Sequence, residues 1–149
     1  MRLVVQRVKK ALVEVDGKVI GKIEKGFFIL LGVGEGDTQV LAENLAEKIG
    51  RLRVMADKKG KMNLSIRDID ESILVVSQFT LYADTSQGNR PSFIHAADPK
   101  IAEELYNFFI FKLKEIGVRV ESGEFGGYMK IKVELDGPVT IILDTDKAF

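Results

Sequence analysis

Between Ser77 and Phe93 the chain reads SQFTLYADTSQGNRPSF, and here it gathers the side chains best suited to holding a polar substrate. Ser77 and Thr80 bring hydroxyls and Gln78 a carboxamide; Asp84, Thr85, Ser86, Gln87, Asn89 and Arg90 follow, ahead of Pro91. Donors and acceptors massed at the end of a strand suit a polar, anionic ligand. A hydroxyl such as Thr80 could attack an ester or amide only if a neighbour accepted its proton. The chain has a single histidine, His95, and no GxSxG elbow, so a Ser-His-Asp arrangement would depend wholly on that residue. An imidazole on a surface loop is the plainer account of His95.

Two further stretches invite a chemical reading. GVGEGD, Gly32 to Asp37, lies between a predicted strand and a predicted helix, but its spacing is GxGxG and no Lys-Ser/Thr follows; a sharp connection accounts for it better than a nucleotide cradle. Gly137-Pro138 interrupts a run of strand formers, where proline removes a ladder donor. Either it makes a turn, or a cis Gly-Pro bond holds backbone carbonyls toward a ligand. With no cysteine and one histidine the chain has little to offer zinc, and no cofactor is expected; a carboxylate-bound magnesium stays open.

The elements that must position these groups can be read in order. Residues Arg2 to Val8 and Ala11 to Val15 form two strand patterns, Asp16-Gly17 supplies a tight turn, and Lys18 to Ile23 returns. Phe27 to Val33 is apolar on both faces, as in a strand covered on both sides. Asp37 is placed to cap a helix from Thr38 to Leu52, with Leu41, Leu45, Ile49 and Leu52 on one face. A short strand, Arg53 to Met55, precedes the turn Asp57 to Lys61. The pattern then predicts a strand over Ile73 to Tyr82, with Gln78, Thr80 and Tyr82 sharing one side. Asp98-Pro99 starts a second helix carrying Ile101, Leu105, Phe108, Phe109, Leu113 and Ile116, and Gly117 stops it. Strands at Val118 to Val120, Tyr128 to Glu134 and Val139 to Leu143 complete the reading.

Strands joined by hairpin turns, with two separated amphipathic helices, favour an α+β fold with strongly curved, mostly antiparallel, barrel-like sheet and the helices packed outside. One domain over residues 1–149 is expected, in a soluble and cytoplasmic protein, since no apolar run spans a bilayer and charge interrupts the first segment early. Lys plus Arg and Asp plus Glu both number 22, and this balance argues against binding DNA by bulk electrostatics. Local basic groups remain: Arg7, Lys9 and Lys10, and Lys58, Lys59 and Lys61 around Gly60, either solvated surface or phosphate contacts.

Taken together, VQRV at Val5 to Val8, GKMN at Gly60 to Asn63, SQFTLYAD, GNRPSF, FGGYM and DGPVT follow one another along nearly the whole chain in a way that resembles the D-aminoacyl-tRNA deacylase family. SQxT and GPxT at this separation are the specific part of the likeness. The resemblance implies hydrolysis of the ester joining a D-amino acid to the 3'-terminal adenosine of tRNA, and of glycine mischarged on tRNA(Ala). It implies a homodimer with active sites at the subunit interface, and no membrane partner. By the same resemblance Ser77, Gln78, Phe79 and Thr80 surround the scissile carbonyl, with the Phe79 N–H as oxyanion donor. Gly137-Pro138 is the cis-proline element that one subunit inserts into the other's pocket to reject L-amino acids; Arg7 orients it, and Thr140 and Met129 complete the substrate pocket. Thr80 as nucleophile, or water assisted by the ribose hydroxyl, are both open. The family's NxGPxT carries Leu135 here in place of Asn, and Gly127 stands where Ala is frequent. The rival readings are an editing module for another aminoacyl ester and a non-catalytic tRNA-binding protein.

Overall fold

The computed structural model describes residues 1–146. A six-stranded sheet runs in the order β2 (Lys18–Ile23), β1 (Arg2–Val15), β3 (Gly26–Gly32), β6 (Ser72–Ser77) and β7 (Arg119–Ser122), with β8 (Lys130–Asp144) on the other edge of β1. The β1 pairs with β2, β3 and β8 are antiparallel; β3–β6 and β6–β7 are parallel. A small hairpin, β4 (Met55–Ala56) and β5 (Met62–Leu64), lies apart. Helices α1 (Gln39–Arg51) and α2 (Pro99–Glu115) pack together against one face.

Curvature begins in β1, which is one strand where the sequence suggests two. Its first half pairs with β3 and its second with β2, and an irregularity between Val8 and Lys10 bends it. Asp16 and Gly17 both take positive φ, as the predicted tight turn requires. The sheet then curls until β2 meets β7: a Cβ on Gly21 would lie 2.7 Å from the Ser122 carbonyl oxygen. Two cores result. Phe27, Ile29 and Leu31 face Leu45, Ile49, Leu105, Phe109 and Leu113 of the helices, whereas Phe28 turns inward with Val8, Val13, Leu74 and Val76. The two-sided apolar pattern of β3 is thereby explained.

The helices adjust the predicted detail. Asp98 caps α2 through the Lys100 amide, and Gly117 ends it at φ +87°. Ile101 is exposed, because the buried stripe runs through Leu105, Tyr106, Phe109, Ile110 and Leu113. For α1 the cap is Thr38, not Asp37; the Asp37 carboxylate instead accepts from the Gly34 amide and the Met1 amine. The short strand predicted at Arg53 to Met55 sits at Met55–Ala56, where β5 can pair with it.

Two departures fall in the stretches singled out for chemistry. The predicted strand over Ile73 to Tyr82 ends at Ser77, and Phe79–Tyr82 forms a 3₁₀ turn. By then β6 has lost both neighbours: β7 ends opposite Val75, and β3 ends at Gly32 after the Gln78 amide has bonded the Leu31 carbonyl at 2.7 Å. Backbone without a partner strand closes locally, Leu81 N–H to Gln78 and Ala83 N–H to Thr80. Gln78, Thr80 and Tyr82 therefore do not share a strand face; Tyr82 is buried and Thr80 exposed. At the other end of the chain, the two strands predicted at Tyr128 to Glu134 and Val139 to Leu143 are a single β8. Between the pairs Gln6↔Thr140 and Val8↔Leu135, Arg7 alone stands opposite residues 136–139, which leave the ladder as a wide bulge. Such a bulge is where a strand tolerates proline, and the Gly137-Pro138 bond within it is cis.

Candidate functional site

A cleft of about 670 Å³ opens where β6 passes into the 3₁₀ turn. Its polar edge is Ser77 and Gln78; its apolar floor includes Leu31, Val33, Val76, Ala97, Ala102 and Tyr106; Phe79, Phe93 and the Phe125–Met129 segment form its walls. Phe79 and Phe93 meet edge to face with ring centres 5.0 Å apart. The Tyr106 hydroxyl donates to the Val75 carbonyl at 2.8 Å, and burial holds this phenol well above its ordinary range. It is a fixed neutral wall.

Small residues let the turn settle beside this cleft. A Cβ on Gly32 would lie 2.9 Å from the Gln78 carbonyl oxygen and 3.1 Å from the Leu81 Cβ, and one on Gly34 would run into the Tyr82 ring. Two of the glycines of GVGEGD, Gly32 and Gly34, thus make room for the 3₁₀ turn. Arg2 fastens the far side, donating to the Leu81 carbonyl at 3.1 Å and stacking 4.4 Å above the Tyr82 ring. Burial, with the Asp37 charge second, raises the Tyr82 phenol far beyond neutral pH.

The turn has two chemical consequences. Leading amides of a helical turn have no acceptor within it, and the Phe79 N–H, at the cleft wall, enters no hydrogen bond among the described residues. Thr80 lies beside the cleft, and its hydroxyl accepts from the Gln78 carboxamide. Among the described residues no carboxylate or imidazole contacts that hydroxyl. His95 lines a separate polar hollow of about 590 Å³ with Arg2, Tyr82 and Asp84. There the Asp84 carboxyl, which accepts from the Ser86 amide, is held below the usual carboxylate range chiefly by that bond. No cluster of His, Cys, Asp and Glu suited to a metal occurs among the described residues.

Of the residues singled out from the sequence, Ser77, Gln78, Phe79 and Met129 come together in the cleft, with Thr80 adjoining. Arg7, Gly137, Pro138 and Thr140 do not line it. They form a second group on β1 and β8. Arg7 Nε donates to the Asp136 carbonyl at 3.1 Å and lies 3.0 Å from its carboxylate, while Nη1 donates to the Val54 carbonyl at 2.8 Å. Gln6 Nε2 lies 3.5 Å from the Thr140 hydroxyl, and Gly137 and Pro138 are exposed. Sequence reading did not single out Ala97, Ala102 or Tyr106 as cleft residues. The small residues ahead of and within α2 were the available signal, since alanines where the helical stripe would place large side chains leave room for something else.

Comparison with known proteins places this arrangement among relatives. A family model described as D-Tyr-tRNA(Tyr) deacylase matches residues 4–144. The chain is 56% identical over 150 residues to a D-aminoacyl-tRNA deacylase of Thermosipho melanesiensis, covering 100% of both chains. It is 53% identical to one of Lacticaseibacillus casei, covering 98% of this chain and 99% of the relative. Among solved structures, a c-Myc DNA Unwinding Element Binding Protein superposes with a TM-score of 0.91 at 42% identity, covering 97% of this chain and 99% of that one. A "probable eukaryotic D-amino acid tRNA deacylase" shares the fold at a TM-score of 0.79 and 16% identity, over 95% of this chain and 97% of that one.

Proposed function

The chain belongs to the D-Tyr-tRNA(Tyr) deacylase family, and from that premise we propose that it is a hydrolase cleaving the ester between a D-amino acid and the 3'-terminal adenosine of tRNA. The observation that carries this reading is the cleft itself, in which an apolar floor and aromatic walls adjoin Ser77, Gln78 and the unpaired leading amide of the 3₁₀ turn. An ester carbonyl seated at the Phe79 N–H would have its developing negative charge met by a preorganised donor. Water adds to the carbonyl carbon, the bond to the ribose O3' breaks, and O3' takes a proton, releasing the free amino acid and the tRNA. The tRNA's own neighbouring ribose hydroxyl can relay that proton. Thr80 positions the substrate: its hydroxyl already accepts from Gln78, and among the described residues no base contacts it.

Chirality is read by the bulge at residues 136–139, and the cleft that it serves belongs to a second copy of the chain. Two observations support this: Gly137 and Pro138 are exposed and line no part of their own cleft, and β8 exposes Ile131, Leu135 and Ile142, an apolar face that a partner can cover. A backbone wall discriminates by the geometry at the α-carbon, so it can refuse L side chains while admitting many D side chains. Glycine, with nothing to exclude, would pass, so glycyl-tRNA(Ala) is a substrate as well. The protein works as a cytoplasmic homodimer with two sites.

The test is release of amino acid from matched D-tyrosyl-tRNA and L-tyrosyl-tRNA, with the mass in solution measured alongside. Rapid loss of the D ester alone, from a dimer, is expected. Loss of both esters would assign a general editing module, and survival of both would leave a binding protein. A monomer with the same chiral preference would overturn the cross-subunit filter.

A further inference from the structure

Lys58, Lys59 and Lys61 have no part in the reaction just described. All three are exposed at the tip of the β4–β5 hairpin. The turn that carries them is ordered by its one acid: the Asp57 carboxylate accepts the Lys59 amide at 2.8 Å and the Lys61 amide at 3.0 Å, and lies 3.4 Å from the Asn63 carboxamide. Asp57 is therefore held inside the turn, while none of the three ammonium groups enters an ion pair among the described residues. Behind the tip Arg53 bridges the strands, its Nε donating to the Asn63 carbonyl at 2.7 Å. In a chain whose total charge is zero, three unpaired lysines on one braced turn concentrate positive potential at one point.

Its place in the molecule gives that charge a direction. The Arg7 guanidinium that holds the Asp136 carbonyl, next to Gly137, also holds the Val54 carbonyl at the foot of β4. Hairpin and bulge share one anchor. The basic turn therefore stays close to the bulge in whichever cleft receives Gly137 and Pro138: only the two strand residues Met55 and Ala56 separate Val54 from the turn that opens at Asp57, an extended reach of roughly 10 Å. A tRNA whose terminal ester sat in that cleft would bring the phosphates of its 3' end to the mouth of the cleft. We propose that the β4–β5 hairpin is the phosphate-binding arm for the acceptor end of tRNA, and that it acts in trans, on the cleft of the subunit into which Gly137-Pro138 inserts. The inference rests on the deacylase reading and the dimer within it.

The experiment compares wild type with the combined Lys58→Gln, Lys59→Gln, Lys61→Gln variant on two substrates, D-tyrosyl-tRNA and D-tyrosyl-adenosine, which lacks the phosphates. For the tRNA, KM should rise on the order of ten-fold at unchanged kcat, and the slope of log KM against log salt should fall by roughly two, as expected for three lost phosphate contacts. D-tyrosyl-adenosine should be cleaved as before. No change on either substrate would make the lysines solvated surface, and an equal loss on both would make the hairpin structural; each overturns the proposal. Binding of uncharged tRNA, followed alongside, keeps the two readings apart: lysine-dependent binding by a wild type that cleaves nothing would sink the deacylase and leave the arm. The trans geometry is tested in a mixed dimer of the lysine variant with a copy whose cleft is blocked by Gln78→Trp. A wild-type KM for tRNA is expected there, and a raised one would assign the hairpin to its own cleft.

Discussion

Gly34 and Tyr82 are packed so closely that a Cβ on the glycine would stand 2.5 Å from the ring's Cζ. Gly34 lies outside the cleft, but Tyr82 ends the 3₁₀ turn whose first residue, Phe79, forms the cleft wall. The ring cannot retreat freely, because Arg2 covers it. Gly34→Ala should therefore destabilise the protein by about 1–3 kcal/mol, the usual cost of overpacking, and should lower kcat by moving the turn. Thermal unfolding and turnover on D-tyrosyl-tRNA measure both; a stable variant with unchanged kcat would show that the turn does not set the site.

Thr80→Val separates the two mechanisms. If Thr80 positions substrate through its hydrogen bonds, the loss corresponds to about 0.5–1.5 kcal/mol, or up to roughly ten-fold in kcat/KM. Single-turnover deacylation is the measurement. Complete loss of turnover with tRNA binding intact would make the hydroxyl the nucleophile.

Arg7 ties two carbonyls, those of Asp136 and Val54, with one planar fork. Arg7→Ala should loosen the bulge and reduce the ratio of D- to L-tyrosyl-tRNA cleavage by ten-fold or more, on the order of one or two lost charge-assisted hydrogen bonds. Arg7→Lys should rescue little, since an ammonium cannot span both carbonyls with the same geometry. A ratio unchanged in both variants would remove Arg7 from the chirality filter.

The Asp57 carboxyl is held below its ordinary value of 3.8, chiefly by the Lys61 amide and then by that of Lys59. A lowered folded-state value means that ionised Asp57 supports the turn at every pH above about 3.8, and that this support is lost as the pH falls from there through the folded value. A carbon-13 NMR titration of the Asp57 carboxyl should give a midpoint below 3.8, and Asp57→Ala, which removes the shared acceptor oxygen, should disorder the amides of Lys59 and Lys61 at neutral pH. An unshifted midpoint would mean that the turn is not ordered by its acid.

Much of this architecture could be read from local chemistry. Asp16-Gly17, the Asp98-Pro99 helix start and the Gly117 stop each depend on a few adjacent residues, and the structure has each where the sequence put it. The two-sided apolar run of β3 likewise announced a strand covered on both faces. The errors lie where a distant element supplies the deciding bond. Residues 78–82 alternate like a strand, yet they turn because β3 and β7 both end beside them. Asp37 has the side chain of a helix cap, but the Gly34 amide and the Met1 amine claim its carboxylate.

Read alone, the sequence shows the family and the kinds of groups available, because these depend on which residues exist and in what order, and it leaves Thr80 open between nucleophile and positioning group. It also singled out Gly137-Pro138 as an anomaly within a strand. The folded chain brings Ser77, Gln78, Phe79 and Met129 to one cleft and gathers Arg7, Gly137, Pro138 and Thr140 elsewhere. It also revealed that Arg7 joins the bulge to the hairpin of Lys58, Lys59 and Lys61. Those relationships are fixed by sheet curvature and by long-range strand register, and neither leaves a trace in any short window of sequence.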